Sequence, residues 1–130
     1  MNILIVDDKL ENLYLLRVLL GSKGYDVTEA TNGKEALERA RETPPALIIS
    51  DILMPVMDGF ALCRAWKADA RLASIPFIFY TATYTEPKDK EFALSLGADR
   101  FLVKPQEGSV LLGEVESALL AGELAGKQAG

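Results

Sequence analysis

The sequence predicts an open α/β fold, a single doubly wound sheet of five parallel strands covered by five helices. Three observations predict it. Short apolar runs alternate with amphipathic segments from end to end of the 130 residues. The runs are apolar almost without interruption, as parallel strands buried on both faces must be. Repeats of this strand–helix unit number five, too few to close an eight-stranded barrel.

Each element has its own signal. Ile3-Leu4-Ile5-Val6 is rich in β-branched residues and breaks at Asp7-Asp8. Leu10, Leu13, Leu16 and Leu20 are spaced for one helical face, and Gly21 and Gly24 end that helix. Tyr25 to Ala30 reads as the second strand. Asn32-Gly33 makes a turn, Ala36, Leu37 and Ala40 line the second helix, and Pro44-Pro45 stops it. The third strand, Ala46 to Ser50, runs into Asp51. A loop with Pro55 and Gly59 leads to a helix carrying Phe60, Cys63 and Trp66. Pro76 opens the fourth strand, Phe77 to Tyr80, which ends at Thr81. Pro87 suits the first turn of the fourth helix, with Phe92, Ala93 and Leu96 inward and Gly97 at its end. Arg100 to Val103 is the fifth strand, followed by Lys104-Pro105. The last helix uses Leu111, Leu112, Val115, Ala118 and Leu119, and bears Gly113 at a cost of about 1 kcal/mol relative to alanine. The domain is expected to span residues 1–120. Residues 121–130, with three glycines, are expected to form a flexible tail or a linker stub.

Composition narrows the function. The net charge is −5 with no histidine, which argues against nucleic-acid binding. Arg64, Lys67 and Arg71 stand at near-helical spacing and read as a solvated face. Cys63 is a lone cysteine, so no internal disulfide forms and a reducing, cytoplasmic setting is expected. No apolar run approaches the ~20 residues that span a bilayer, and the start resembles no signal peptide.

The polar residues carry the functional argument. In an open α/β sheet, ligands bind beyond the carboxyl ends of the strands, where strand order reverses. Asp7 and Asp8 follow the first strand, Asp51 the third, Thr81 the fourth and Lys104 the fifth. Taken singly each has a plain role: Asp7 or Asp8 a helix cap, Asp51 a turn former, Thr81 a strand end, Lys104 a surface charge. Together they converge on one crevice. Three carboxylates repel one another unless a cation intervenes. Their oxygens select a hard ion, and Mg2+ suits a site that shares phosphate oxygens. Lys104 is a point-charge partner for phosphate, Thr81 a hydrogen-bond donor, and Asp51 a nucleophile able to form an aspartyl phosphate.

At these residues the chain resembles the receiver domain of two-component response regulators. The matching stretches are Ile-Leu-Ile-Val-Asp-Asp at 3–8, Asp-Ile-Leu-Met-Pro-Val-Met-Asp-Gly at 51–59, Thr-Ala at 81–82 and Lys-Pro at 104–105. The resemblance implies a flavodoxin-like sheet of order 2-1-3-4-5. It implies that Asp51 accepts phosphate from a sensor histidine kinase or a histidine phosphotransfer protein. Asp8 would ligate Mg2+ (or Mn2+ in its place) directly, with Asp7 acting mainly through water and Asp51 and the backbone carbonyl of Leu53 as further ligands. Thr81 and Lys104 would contact the phosphoryl group, the Lys104–Pro105 bond would be cis, and Phe101 would be the switch aromatic. The face of the fourth helix, fifth strand and fifth helix would then change shape for a downstream protein or a phosphorylation-linked homodimer, with no nucleic acid or membrane involved.

Rival readings are a receiver cut from a hybrid histidine kinase or multidomain regulator, a receiver-like module that is never phosphorylated, and an aspartate-nucleophile phosphatase. Phosphatases of that class use Asp-x-Asp after the first strand, whereas Asp7 and Asp8 are adjacent here. The expectation is therefore an acceptor and not an enzyme with turnover. Gln106 departs from the apolar residue that many relatives carry after Lys-Pro. Leu53 and Thr83 occupy positions that influence dephosphorylation in relatives, and neither activates water strongly. The phosphorylated protein is expected to keep its label for minutes or longer; loss within seconds, without a phosphatase, would contradict this.

Overall fold

A computed structural model describes the backbone of residues 1–129 and the side chains through Leu124. Ten elements alternate: β1 (Asn2–Val6), α1 (Leu10–Gly21), β2 (Asp26–Ala30), α2 (Gly33–Glu42), β3 (Leu47–Ser50), α3 (Gly59–Ala68), β4 (Phe77–Thr81), α4 (Pro87–Ser95), β5 (Arg100–Val103) and α5 (Gly108–Ala129). The sheet has the order β2-β1-β3-β4-β5, and every pairing is parallel. This is the flavodoxin-like order that the resemblance implies.

Period-two alternation splits the core into two layers. Leu4 and Val6 of β1, Ile48 of β3 and Phe77 and Phe79 of β4 face α2, α3 and α4. Ile3, Ile5, Leu47, Ile49 and Ile78 face α1 and α5. The central strands are buried except at Asn2 of β1 and Tyr80 of β4, while the edge strands β2 and β5 are only partly covered. Trp66 fills the first layer with its indole N–H donated to the Ile75 carbonyl at 3.3 Å, so burial leaves no polar atom unpaired.

The chain starts in the middle of the sheet, steps outward to β2, then crosses back over β1 to β3. Strand order therefore reverses between β1 and β3. Asp7 and Asp51 follow these two strands, on either side of the reversal point.

Helix ends follow local chemistry. Asn32 caps α2 by accepting the Glu35 N–H at 2.9 Å, so Asn32-Gly33 is a helix start and not a free turn. Asp58 caps α3 through the Ala61 N–H at 2.8 Å. Pro87 opens α4. Neither Asp7 nor Asp8 caps α1; Lys9 holds that position without a side-chain bond.

Three expectations need correction. Leu10 is 73% exposed, because the first turn of α1 overhangs the carboxyl edge of the sheet and has no strand beneath it. Phe92 is 41% exposed and lies between α3 and α4, edge-on to Phe60 at 5.0 Å and under the Arg64 guanidinium at 5.6 Å; Ala93 takes the inward position. α5 does not break at Ala121 but stays helical through Ala129. Gly122 helps, since a methyl group there would lie 2.8 Å from Pro76 Cγ, and its absence lets the helix approach that proline. Lys67 pairs with Asp99 just ahead of β5, and Arg71 pairs with its near neighbour Asp69. No described helix is long and apolar enough to cross a membrane.

Cys63 is fully buried on α3, and that burial pushes its thiol up to about 11. Thiolate is the reactive form. A thiol reagent at pH 8 is expected to label the native protein far more slowly than the urea-unfolded chain; equal rates would contradict the buried placement.

Candidate functional site

β1, β3 and β5 deliver three charged groups to one point. Asp7 follows β1 and is almost fully buried. Its Oδ1 accepts the Lys9 N–H at 2.9 Å, and its Oδ2 accepts from Asn12 Nδ2 at 3.1 Å and from Lys104 Nζ at 2.7 Å. Asp51 follows β3, with Oδ1 accepting the Ile52 N–H at 2.7 Å and Oδ2 accepting from Lys104 Nζ at 3.2 Å. The Lys104 ammonium thus bridges two carboxylates that reach it from 97 and 53 residues away. Asp8 is exposed, yet it offers an oxygen that lies within 4.8 Å of those of Asp7 and Asp51.

Burial opposes the Lys104 charge, but the hydrogen bond to Asp7 and the charge of Asp51 outweigh it and raise the pKa above its ordinary value. The bridge's contribution to stability is therefore present below the ordinary lysine range and is lost only as pH rises through the raised value.

One ammonium does not balance three carboxylates. The remaining negative charge, with oxygen donors alone, fits a hard divalent cation better than the nitrogen- and sulfur-rich sites typical of zinc or copper. Asp7, Asp8 and Asp51 are the side chains able to hold it. Leu53 sits two residues past Asp51 with its side chain exposed.

Thr81 is fully buried at the end of β4. Its hydroxyl is 3.1 Å from that of Thr83 and accepts the Thr83 N–H at 3.2 Å, and among the described residues it makes no hydrogen bond to the acidic group. Its carbonyl accepts the Lys104 N–H at 2.8 Å, which ties β4 to the lysine. Phe101, half-buried on β5, packs edge-on to Phe79 with centroids 6.4 Å apart. The Lys104–Pro105 peptide is cis.

The sequence model for the response regulator receiver domain matches residues 3–116. The chain belongs to that family. Among relatives of this receiver domain, the Pseudomonas aeruginosa protein PilH is 37% identical over 92% of this chain and 98% of its own length. The Bacillus subtilis alkaline phosphatase synthesis transcriptional regulatory protein PhoP is 35% identical over 95% of this chain but only 50% of its own, so the chain spans about half of that relative. The solved receiver domain of a Syntrophus aciditrophicus signal transduction histidine kinase superposes with a TM-score of 0.85 at 41% identity, covering 92% of this chain and 90% of that one.

Sequence reasoning missed several contributors. Asn12 has no signal beyond lying in the first turn of α1. Tyr80 reads as an ordinary strand residue, yet its ring lies 5.5 Å from Lys104 Nζ and its hydroxyl accepts the Gln106 N–H at 3.1 Å. Gly59 ends the 51–59 stretch shared with receiver domains, but its reason is three-dimensional. Its N–H donates to the Ile52 carbonyl at 2.7 Å, and a methyl group on it would fall 2.2 Å from the Asp51 carbonyl oxygen. The loop between them also holds Val56 at φ +67°, a conformation a β-branched residue adopts only under constraint. Met57 supplies one restraint, its carbonyl accepting the Gly33 N–H at 3.0 Å.

Gly59→Ala must force α3 away from Asp51. It is expected to destabilise the domain by about 3 kcal/mol, the upper part of the overpacking range. Urea unfolding tests this, and a change below about 1 kcal/mol would contradict so close an approach.

Proposed function

We propose that this receiver domain stores a signal as a phosphoryl group on Asp51, taken from the phosphohistidine of a sensor kinase or a histidine phosphotransfer protein. The observation that carries the reading is the single ammonium of Lys104 held between Asp7 and Asp51 beside a third carboxylate. That charge arrangement suits a phosphoryl group and a divalent cation arriving together.

The chemistry balances. A carboxylate oxygen of Asp51 forms a bond to phosphorus as the bond from phosphorus to the donor's imidazole nitrogen breaks. The electron pair of that bond leaves with the ring, which departs as neutral imidazole if its other nitrogen carries a proton. Mg2+, when bound by Asp7, Asp8, Asp51 and the Leu53 carbonyl, supplies charge neutralisation at the phosphoryl oxygens. Lys104, already aimed at Asp51, pairs with a second of those oxygens. The Thr81 hydroxyl exchanges its Thr83 partner for another. The product stays on the protein, so the domain works as an acceptor and not as an enzyme that releases product.

The readout follows from Thr81 and Phe101, which end β4 and line β5. Movement of Thr81 frees space that the half-buried Phe101 ring can take. The groove of about 380 Å³ between α4 and β5, lined by Pro87, Lys90, Phe101 and Gln106, then changes shape for a downstream partner on the α4-β5-α5 face. A cytoplasmic setting agrees with a buried, reduced Cys63.

Incubation with acetyl phosphate and Mg2+ is expected to add one phosphoryl group, detected by intact mass and by a phosphate-affinity gel. Asp51→Asn and chelation by EDTA should each abolish it. A base-labile adduct that persists on the Asp51→Asn protein would sink the assignment.

A further inference from the structure

We propose that Tyr80 is a positioning residue for phosphoryl transfer, holding Lys104 in place through two separate contacts. The proposal rests on the reading of Asp51 as acceptor and Lys104 as its charge partner.

Tyr80 stands on β4 one residue before Thr81, and period-two alternation points it to the opposite layer, toward α1 and α5. There it meets the segment that carries the lysine. Its ring lies 5.5 Å from Lys104 Nζ, within the range where an aromatic face attracts an ammonium. Its hydroxyl oxygen accepts the main-chain N–H of Gln106 at 3.1 Å. The Gln106 side chain turns back to donate from Nε2 to the Val103 carbonyl at 2.8 Å. The Lys104 N–H is bound to the Thr81 carbonyl at 2.8 Å. Residues 103–106 are thus tied on both sides of Lys104, and Tyr80 supplies the tie beyond the proline and the surface beneath the ammonium.

A lysine is a poor candidate for precise placement, because its four-carbon stem is flexible and loses much entropy when fixed. Two carboxylates aim the ammonium from one side. When a cation occupies those carboxylates, their hold on Lys104 weakens, and the Tyr80 ring remains as the support that keeps the charge near Asp51. The ring therefore matters most in the state that reacts.

The test is a double-mutant cycle. Tyr80→Phe and Tyr80→Leu are made in the normal chain and in Lys104→Met, and the initial rate of labelling by acetyl phosphate is measured at saturating Mg2+. The ε-methylene proton shifts of Lys104 are recorded by NMR in the Lys104 proteins. Tyr80→Leu should slow labelling about tenfold, the size expected for loss of a partly desolvated cation–π contact, and should remove the upfield ring shift of the Lys104 ε-methylene. Tyr80→Phe should keep that shift and lose about threefold in rate, for the missing bond to Gln106. In Lys104→Met the Tyr80 substitutions should change the rate no further. Equal losses in both backgrounds would reduce Tyr80 to a packing role and overturn the proposal, as would an unmoved ε-methylene in Tyr80→Leu. If the unmodified protein takes no label, the reading of Asp51 fails instead, and the NMR shifts alone decide whether Tyr80 holds Lys104.

Discussion

One ammonium holds this site together. Lys104 draws the end of β5 to the ends of β1 and β3 by bridging Asp7 and Asp51. The bridge spans the point where strand order reverses, so the fold's main topological event and its main charge contact coincide. Without that cation, three carboxylates would face one another across a few ångströms at the carboxyl edge of the sheet. The bridge is also incomplete by charge, which leaves the site ready for further positive charge and for an anion that brings its own counterion.

The scaffold places these groups by simple means. Ile3, Ile5, Leu47 and Ile49 point to one layer and Leu4, Val6 and Ile48 to the other, so β1 and β3 are fixed from both sides. Parallel register then sets Val6 opposite Ser50, and the next residues, Asp7 and Asp51, emerge side by side. Gly59 adds a third constraint by letting α3 start against the Asp51 main chain. Rigid strands thus end one residue short of Asp7, Asp51 and Lys104 and fix where these groups emerge.

Much of this was legible in the sequence. The fivefold alternation announced the sheet, and the polar residue after each apolar run announced the edge where function gathers. What failed did so for definable reasons. The periodicity of α1 and α4 marks a face, but not where the helix overhangs the sheet or leans on a neighbouring helix, so Leu10 shares the spacing of the buried leucines and Phe92 reads as inward although both are exposed. Glycines after Ala121 suggest a tail by propensity, yet the backbone stays helical and Gly122 passes close to Pro76. Asn12, Tyr80 and Gly59 act through distances between elements far apart in the chain. No local pattern encodes such distances.

The unbroken course of α5 has a mechanical consequence. Its 22 residues make a rod of roughly 33 Å. Arg100 on β5 grips the near half through Glu114 at 3.3 Å and Ser117 at 3.2 Å. A tilt of about 5° at that grip would carry the far end, 12 residues beyond Ser117, through roughly 2 Å, given ordinary helix dimensions. A sub-ångström adjustment beside β5 in this way arrives at the end of the helix magnified, as with the long arm of a lever.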